Sequence, residues 1–221
     1  MEGTRLRILT TLQRDGQATV DSLAHSLALA PATIRRHMDI LQRDHFIAYR
    51  EVKKPTGRPE YSFYLTEAGH EVLPKDYPHL LGALFQEMAS LGQGDLQGRD
   101  GPKLMELVLS RMAQRMADRV PVSPGDDLDA RVATLASMLE ERQMMPQVEQ
   151  VDGGIRIMVL NCPLRSVALE HGIVCTFHSH LISSVLGTPV SLERCIAWGD
   201  TSCSHLVYYE AVALQGVPAA Y

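Results

Sequence analysis

Three short amphipathic helical patterns followed by two β-like runs around a basic, Pro/Gly-rich tip occupy residues 4–65, and this order leaves few folds open. Leu6, Leu9 and Leu12, with Ile8 beside them, give a first helix that stops at Asp15-Gly16. Thr19 is placed to cap a second helix, and Asp21 in its first turn is favoured by the helix dipole. The stripe of that helix is Val20, Leu23, Ala24 and Leu27. After Ala28-Leu29-Ala30, Pro31 suits the first position of a third helix over 31–44. Its inner face is Ile34, Met38 and Leu41; Ala32, Arg36, Asp39 and Arg43 project the opposite way, flanked by Thr33 and Arg35. Residues 46–52 and 61–65 read as strands bracketing Lys53-Lys54-Pro55-Thr56-Gly57-Arg58-Pro59. Two short helices joined by a tight turn, the second with arginines outward, then a hairpin with a basic tip, describe a winged helix-turn-helix. A three-helix core with a merely solvated charged face is the competing reading, and the wing argues against it.

That fold predicts contacts to DNA from Thr33, Arg35, Arg36 and Arg43 on the third helix and from Lys53, Lys54 and Arg58 on the wing. An exposed arginine can donate two hydrogen bonds to guanine, a wing arginine can enter a narrow minor groove, and lysines attract phosphate without reading sequence. The net charge of −5 is compatible with this because it is uneven. Residues 1–79 carry eleven Lys/Arg against ten Asp/Glu, whereas the remainder carries ten against sixteen. Phosphate contact is local, since charges are screened over roughly 8–10 Å. There is no run of 18 apolar residues to span a membrane, and Met1-Glu2-Gly3-Thr4-Arg5-Leu6-Arg7 lacks the apolar core of a secretion signal. A cytoplasmic protein is therefore expected.

Residues 67–91 read as helix broken near Pro74, with Leu80, Leu81, Leu84, Phe85, Met88 and Leu91 as its apolar stripe. A polar linker follows over 92–95 and 98–102. Helices are then expected over 102–120, with Leu104, Leu107, Val108, Met112 and Met116 on one face, and over 126–143. Such stripes form either an intramolecular core or a dimer seam. Palindromic DNA sites favour two-fold proteins, so a homodimer is expected, its interface unassigned.

From Met144 the pattern changes to short strands, at 146–150 and 154–160 around Asp152-Gly153-Gly154, then at 190–197 and 202–209 around Gly199-Asp200, with helices over 164–170 and 175–186 between them. The chain is thus expected to be α+β: a winged helix-turn-helix at 1–79, a helical linker or dimerisation segment at 80–143, and a small α+β sensor domain at 144–221. All four cysteines lie in the last part, spaced C-x12-C-x19-C-x7-C. The lack of a CxxC pair disfavours zinc ribbons, and a reducing cytosol disfavours structural disulfides. Cys162 follows a strand, Cys175 opens a helix and Cys203 opens the last strand, so the three can converge on one metal or cluster. The helix N-terminus favours a thiolate at Cys175. Cys195 reads more simply as a small buried hydrophobe. It faces the others only if the Gly199-Asp200 hairpin takes one parity of register. His178, at i+3 from Cys175, shares its helix face, and His205, at i+2 from Cys203, shares its strand face. Trp198 and Tyr208 read as core.

Several of these segments resemble a known group. The run Ala32-Thr33-Ile34-Arg35-Arg36-His37-Met38 is similar to bacterial winged-helix regulators. Gly57-Arg58-Pro59, Tyr64-Leu65-Thr66-Glu67-Ala68-Gly69 and Pro74-Lys75-Asp76-Tyr77 resemble more narrowly the SufR group, repressors of iron–sulfur cluster assembly genes. Asn161-Cys162-Pro163, Cys175 and Gly199-Asp200-Thr201-Ser202-Cys203 resemble that group's C-terminal pattern. The resemblance implies an iron–sulfur cluster, [4Fe–4S] or alternatively [2Fe–2S], held by Cys162, Cys175 and Cys203. It implies a dimeric repressor whose hold on a double-stranded DNA operator depends on cluster occupancy. One departure leaves the fourth ligand open: where members often carry a further cysteine, fourteen residues after Cys175, this chain has Pro189. Cys195 and His178 are the candidates from the chain, and solvent or a small thiol is the further alternative. Rival readings are a regulator that binds an organic effector and a regulator stabilised by structural zinc. With no nucleotide loop, G-x-S-x-G or paired catalytic motif, an enzyme is not expected.

Overall fold

The computed structural model describes residues 3–52 and 60–209, which form two compact units dividing between Pro74 and Lys75.

The first unit contains α1 (Thr4–Asp15), α2 (Val20–Leu27), α3 (Pro31–Arg43), β1 (Ile47–Val52), β2 (Glu60–Leu65) and α4 (Glu67–Glu71). Thr19 caps α2 as its sequence demands: its hydroxyl accepts the Ser22 N–H at 3.1 Å, and Ser22 Oγ accepts the Thr19 N–H at 2.9 Å. α2 ends on Ala28 in the left-handed conformation, and Pro31 opens α3. Ile8, Leu9, Leu12, Leu23, Ile34, Met38 and Leu41 close the three-helix core. β1 and β2 pair antiparallel, Ile47 opposite Leu65 and Val52 opposite Glu60. Ala18 and Phe63 exchange backbone hydrogen bonds at 2.9 and 2.8 Å, which fastens the α1–α2 turn to the hairpin. This unit is a winged helix-turn-helix.

The second unit contains α5 (Tyr77–Ala89), α6 (Gln93–Leu96), α7 (Gly101–Ala117), α8 (Leu128–Glu141), β3 (Pro146–Val151), β4 (Gly154–Val159), α9 (Arg165–Glu170), α10 (Thr176–Leu186), β5 (Ser191–Arg194) and β6 (Cys203–Tyr208). Aspartates at 76, 100 and 127 cap α5, α7 and α8, each accepting a backbone N–H three residues on. The strands form an antiparallel sheet in the order β3-β4-β6-β5. Ile155, Ile157 and Val159 stand opposite Val207, His205 and Cys203 on its buried face. One core joins this face to Met112, Ala113 and Met116 of α7, to Leu135 and Leu139 of α8 and to Phe177, Leu181 and Ile182 of α10.

Four local expectations differ. The stripe on α5 splits: Leu80 is buried, while Leu81, Phe85 and Met88 face outward. The inner line is completed by Glu87, which is buried and accepts from Arg115 Nη2 at 3.1 Å. The expected linker holds a helical turn, α6, because Asp95 caps it through the Gly92 N–H and holds Arg111 at 2.6 Å. The strand expected over 190–197 ends at Arg194, and a 3-10 turn (Ile196–Trp198) follows. There the Cys195 N–H donates to Asp200 Oδ2 at 2.9 Å and the Cys195 carbonyl accepts from Trp198 and Asp200, so the chain bonds to itself rather than to β6. Trp198 is accordingly half-exposed, not core.

A Cβ on Gly154 would lie 2.2 Å from the Val207 carbonyl oxygen, a backbone atom that cannot turn aside. Gly154→Ala is expected to destabilise the second unit by about 1–3 kcal/mol, through overpacking. A urea unfolding midpoint equal to that of the wild type contradicts this packing.

Candidate functional site

Four cysteines arrive in one region from four local structures, and each owes its place to a backbone constraint. Cys162 lies just past β4, where Asn161 anchors the chain: its N–H donates to the Met144 carbonyl at 3.0 Å and its side-chain amide to the Gln143 carbonyl at 2.6 Å. Cys175 ends a 3-10 turn (Gly172–Cys175) and is the N-cap of α10. Cys195 sits in the self-bonded loop after β5, and Cys203 starts β6. All four are free thiols and buried.

The sulfurs of Cys175, Cys195 and Cys203 lie within 4.8 Å of one another. Cys162 stands outside this trio, its sulfur 4.0 Å from His178 Nδ1. The 3-10 turn that shortens β5 therefore delivers Cys195 to Cys175 and Cys203. His178 and His205 are buried too; among the described residues His178 Nε2 has no hydrogen-bond partner, whereas the Ile157 backbone reaches the His205 ring. An orphaned buried polar atom costs free energy unless something occupies it.

Backbone amides point at the sulfurs. Leu164 N–H lowers the Cys162 pKa, Ala197 N–H that of Cys195 and Ile196 N–H that of Cys203, each by bonding the anionic form. Burial nevertheless pushes the Cys162 thiol up to about 12, helped by Cys203 nearby. Within the trio, hydrogen bonds from Cys175 and Cys203 hold the Cys195 sulfur far below the ordinary thiol range. Donating to Cys195 and Cys203, together with burial, pushes Cys175 far up. These bonds favour the anionic form at Cys195 over Cys175, the helix-terminus position where the sequence places it. For Cys203 a hydrogen bond from Cys175 lowers the pKa, but donation to Cys195 and burial leave it raised. Burial lowers His178 to about 4 and His205 to about 3, the second also through His178, so both imidazoles are neutral at pH 7 and present lone pairs.

Soft sulfur donors, neutral imidazoles and amide N–H groups aimed at sulfur make a suitable pocket for a thiophilic metal ion or cluster. A single tetrahedral ion with metal–sulfur bonds of about 2.3 Å holds its sulfurs roughly 3.8 Å apart. The trio, all within 4.8 Å, is compatible with that spacing; a multi-iron cluster, with each thiolate on a different iron, needs the sulfurs spread further.

In the first unit, Thr33, Arg35, Arg36 and Arg43 are all exposed on α3, opposite the buried Ile34, Met38 and Leu41. Lys53, Lys54 and Arg58 lie outside the described residues. Residues 1–48 match the family described as winged helix-turn-helix DNA-binding. The first unit is thus a winged helix-turn-helix DNA-binding domain. Among solved structures, PadR of Bacillus subtilis in complex with operator DNA is 19% identical, covering 63% of this chain and 90% of that one, with a TM-score of 0.28. No curated protein matches the chain. No helix among the described residues is long and apolar enough to cross a membrane.

The sequence pattern did not foretell the place of Cys195 or the pairing of His178 with Cys162. The only sequence signal for the first is Asp200, which stops the strand by accepting the Cys195 N–H.

Because burial raises the Cys162 thiol, and donation to neighbouring sulfurs together with burial raises Cys175 and Cys203, a cation bound by these sulfurs must displace protons. The folded pKa values of these thiols lie above the usual thiol value, so the apparent affinity for Zn2+ should rise with pH between about 6 and 8. Competition with a chromogenic chelator measures it, and an affinity flat across that range contradicts the assignment.

Proposed function

We propose that this chain is a winged-helix transcriptional repressor of the SufR type, whose operator affinity is set by an iron–sulfur cluster held in the second unit. The observation that carries the reading is the convergence of Cys175, Cys195 and Cys203, with Cys162 and His178 adjoining, in a buried cluster of a chain whose residues 1–48 match a DNA-binding family. Four buried sulfurs that become thiolates need a cation, because uncompensated buried charge is too costly. Cys162, Cys175 and Cys203 are the ligands the resemblance implies. The fourth position falls to Cys195, whose sulfur joins Cys175 and Cys203, or to His178, whose Nδ1 faces Cys162. Bound there, a cluster supplies sensitivity to oxidants and to iron supply, since it can be lost.

The chain's own residues turn occupancy into structure. Asn161 ties Cys162 to the α8–β3 turn, and Cys175 begins α10, whose Phe177, Leu181 and Ile182 fill the core beside α7. Sulfurs drawn to one centre hold the β4 end, α10 and β6 together; sulfurs released leave the connecting segments looser. A shift of a few kcal/mol between two arrangements suffices to change DNA affinity. On the DNA side Thr33, Arg35, Arg36 and Arg43 read or grip the duplex from α3, joined by Lys53, Lys54 and Arg58 of the wing. Iron–sulfur assembly genes as targets, and a two-fold pairing of chains on the operator, complete the proposal.

The spacing of the sulfur trio favours one other reading, a single zinc ion that stabilises a regulator of constant DNA affinity. Anaerobic purification with absorption spectroscopy and iron, sulfide and zinc analysis separates the two. The proposal predicts a brown protein with about four iron and four sulfide per chain, or about two of each for a [2Fe–2S] centre, and loss of both in Cys175→Ser. One zinc per chain and no visible band, before and after anaerobic reconstitution, contradicts it.

A further inference from the structure

We infer that the outward face of α5 is the surface through which two copies of this chain pair. A helix with one face on a core ordinarily shows charge to water on the other. α5 does not. Pro78, Leu81, Gly82, Phe85, Met88 and Ala89 fall within about 120° of the helix circumference at 100° per residue, and none is charged. Their exposure is high: 50% for Leu81, 68% for Phe85 and 53% for Met88. The opposite side, with Leu80 and the Arg115-paired Glu87, already serves the core. The polar positions, His79, Gln86 and Ser90, keep to one flank. α5 is thus apolar on two sides, the pattern of a helix covered on two sides.

The covering surface is best supplied by the same face of a second copy. Gly82 has open space where a side chain would stand, and Phe85, the most exposed large apolar residue among those described, projects three residues away on the same face. A projection and a recess on one face are self-complementary. About a two-fold axis, each phenyl ring seats on the other copy's glycine, which is the geometry of an isologous contact. The absence of charge means that two such faces meet without like-charge repulsion, whereas a charged partner would be left unpaired. The exposed parts of Leu81, Phe85 and Met88 offer roughly 300 Å2 per copy, against about 800 Å2 per partner in a standard interface. Tyr77, on the flank of the face, and Leu96, on the helix that follows, are exposed and extend it. The two-fold arrangement is also the one a palindromic DNA site asks for. In that respect alone the inference rests on the DNA-binding reading.

Sedimentation velocity of the full chain, over a wide concentration range without DNA, tests it, with iron and zinc content measured on the same samples. The wild type should sediment as a dimer. Phe85→Glu should raise the dimer dissociation constant by roughly 30-fold or more, the scale of losing an interface anchor. Gly82→Leu, which fills the recess, should weaken pairing independently, so the test survives if one variant fails to fold. Gln86→Glu, on the polar flank, should remain dimeric. Far-UV circular dichroism confirms folding for each. A monomeric wild type at every concentration, or native-fold Phe85→Glu and Gly82→Leu proteins that still pair as the wild type does, overturns the inference. Neither result depends on whether the cysteines hold metal or the first unit binds an operator.

Discussion

The pairing register of β4 with β6 is the constraint on which the second unit depends. Val159 opposite Cys203, Ile157 opposite His205 and Ile155 opposite Val207 put one cysteine and one histidine on the buried face among aliphatic neighbours. Side chains alternate along a strand, so a slip of one residue would turn Cys203 and His205 outward and Ser204 and Leu206 inward. The aliphatic alternation of β4 forbids that slip. The same hydrophobic term that builds the sheet therefore fixes the depth and direction of a sulfur and an imidazole that contribute little to the core themselves. The outer face is held differently, by Arg156 bridging Glu149 at 3.1 Å and Glu193 at 2.8 Å, an exposed network worth little on its own.

Around that fixed edge, three segments with little regular structure bring in the other sulfurs. Each is stabilised by short-range polar bonds: Asn161 to the turn before β3, the 3-10 turn that ends at Cys175, and the Cys195–Asp200 loop. Such segments lack the repeated backbone bonds of strands and long helices, although Cys162, Val174, Cys175, Cys195 and Ile196 are themselves buried in the core. Neutral histidines lie beside them, and among the described residues His178 Nε2 has no hydrogen-bond partner, which costs free energy. Soft donors, an orphaned nitrogen and amides directed at sulfur belong together if a cation completes them.

How much of this was legible in the sequence follows from the range of the forces involved. The first unit is dominated by local signals: the Thr19–Ser22 cap, Pro31 at the head of α3 and the 3.6-residue stripe of Ile34, Met38 and Leu41 each act within one or two turns, and the helix positions follow. In the second unit the order of helices and strands, apart from α6, and the limits of β3 and β4 to within a residue were readable for the same reason. Cys195 was not, because its place depends on whether Asp200 captures an amide five residues back or leaves it to the ladder. Pattern reading favours the ladder. The single stripe assigned to α5 failed similarly: Leu80 and Phe85 are alike in hydrophobicity, and the buried Glu87, paired with the part-exposed Arg115, reveals which side faces the core. Apolar periodicity tells that a helix is covered, not by what.

The α3 arginines and the cysteine pocket acquire a joint meaning only if the state of the sulfurs reaches the DNA. That link is the centre of the proposed account. Its most direct measurement is fluorescence anisotropy on a duplex chosen by binding-site selection with metal-loaded protein, comparing that protein with the same preparation stripped anaerobically, at one fixed salt concentration. The account predicts at least about a tenfold loss of affinity on stripping, a coupling of roughly 1.4 kcal/mol or more. Equal affinity for the loaded and stripped forms, both folded, contradicts it.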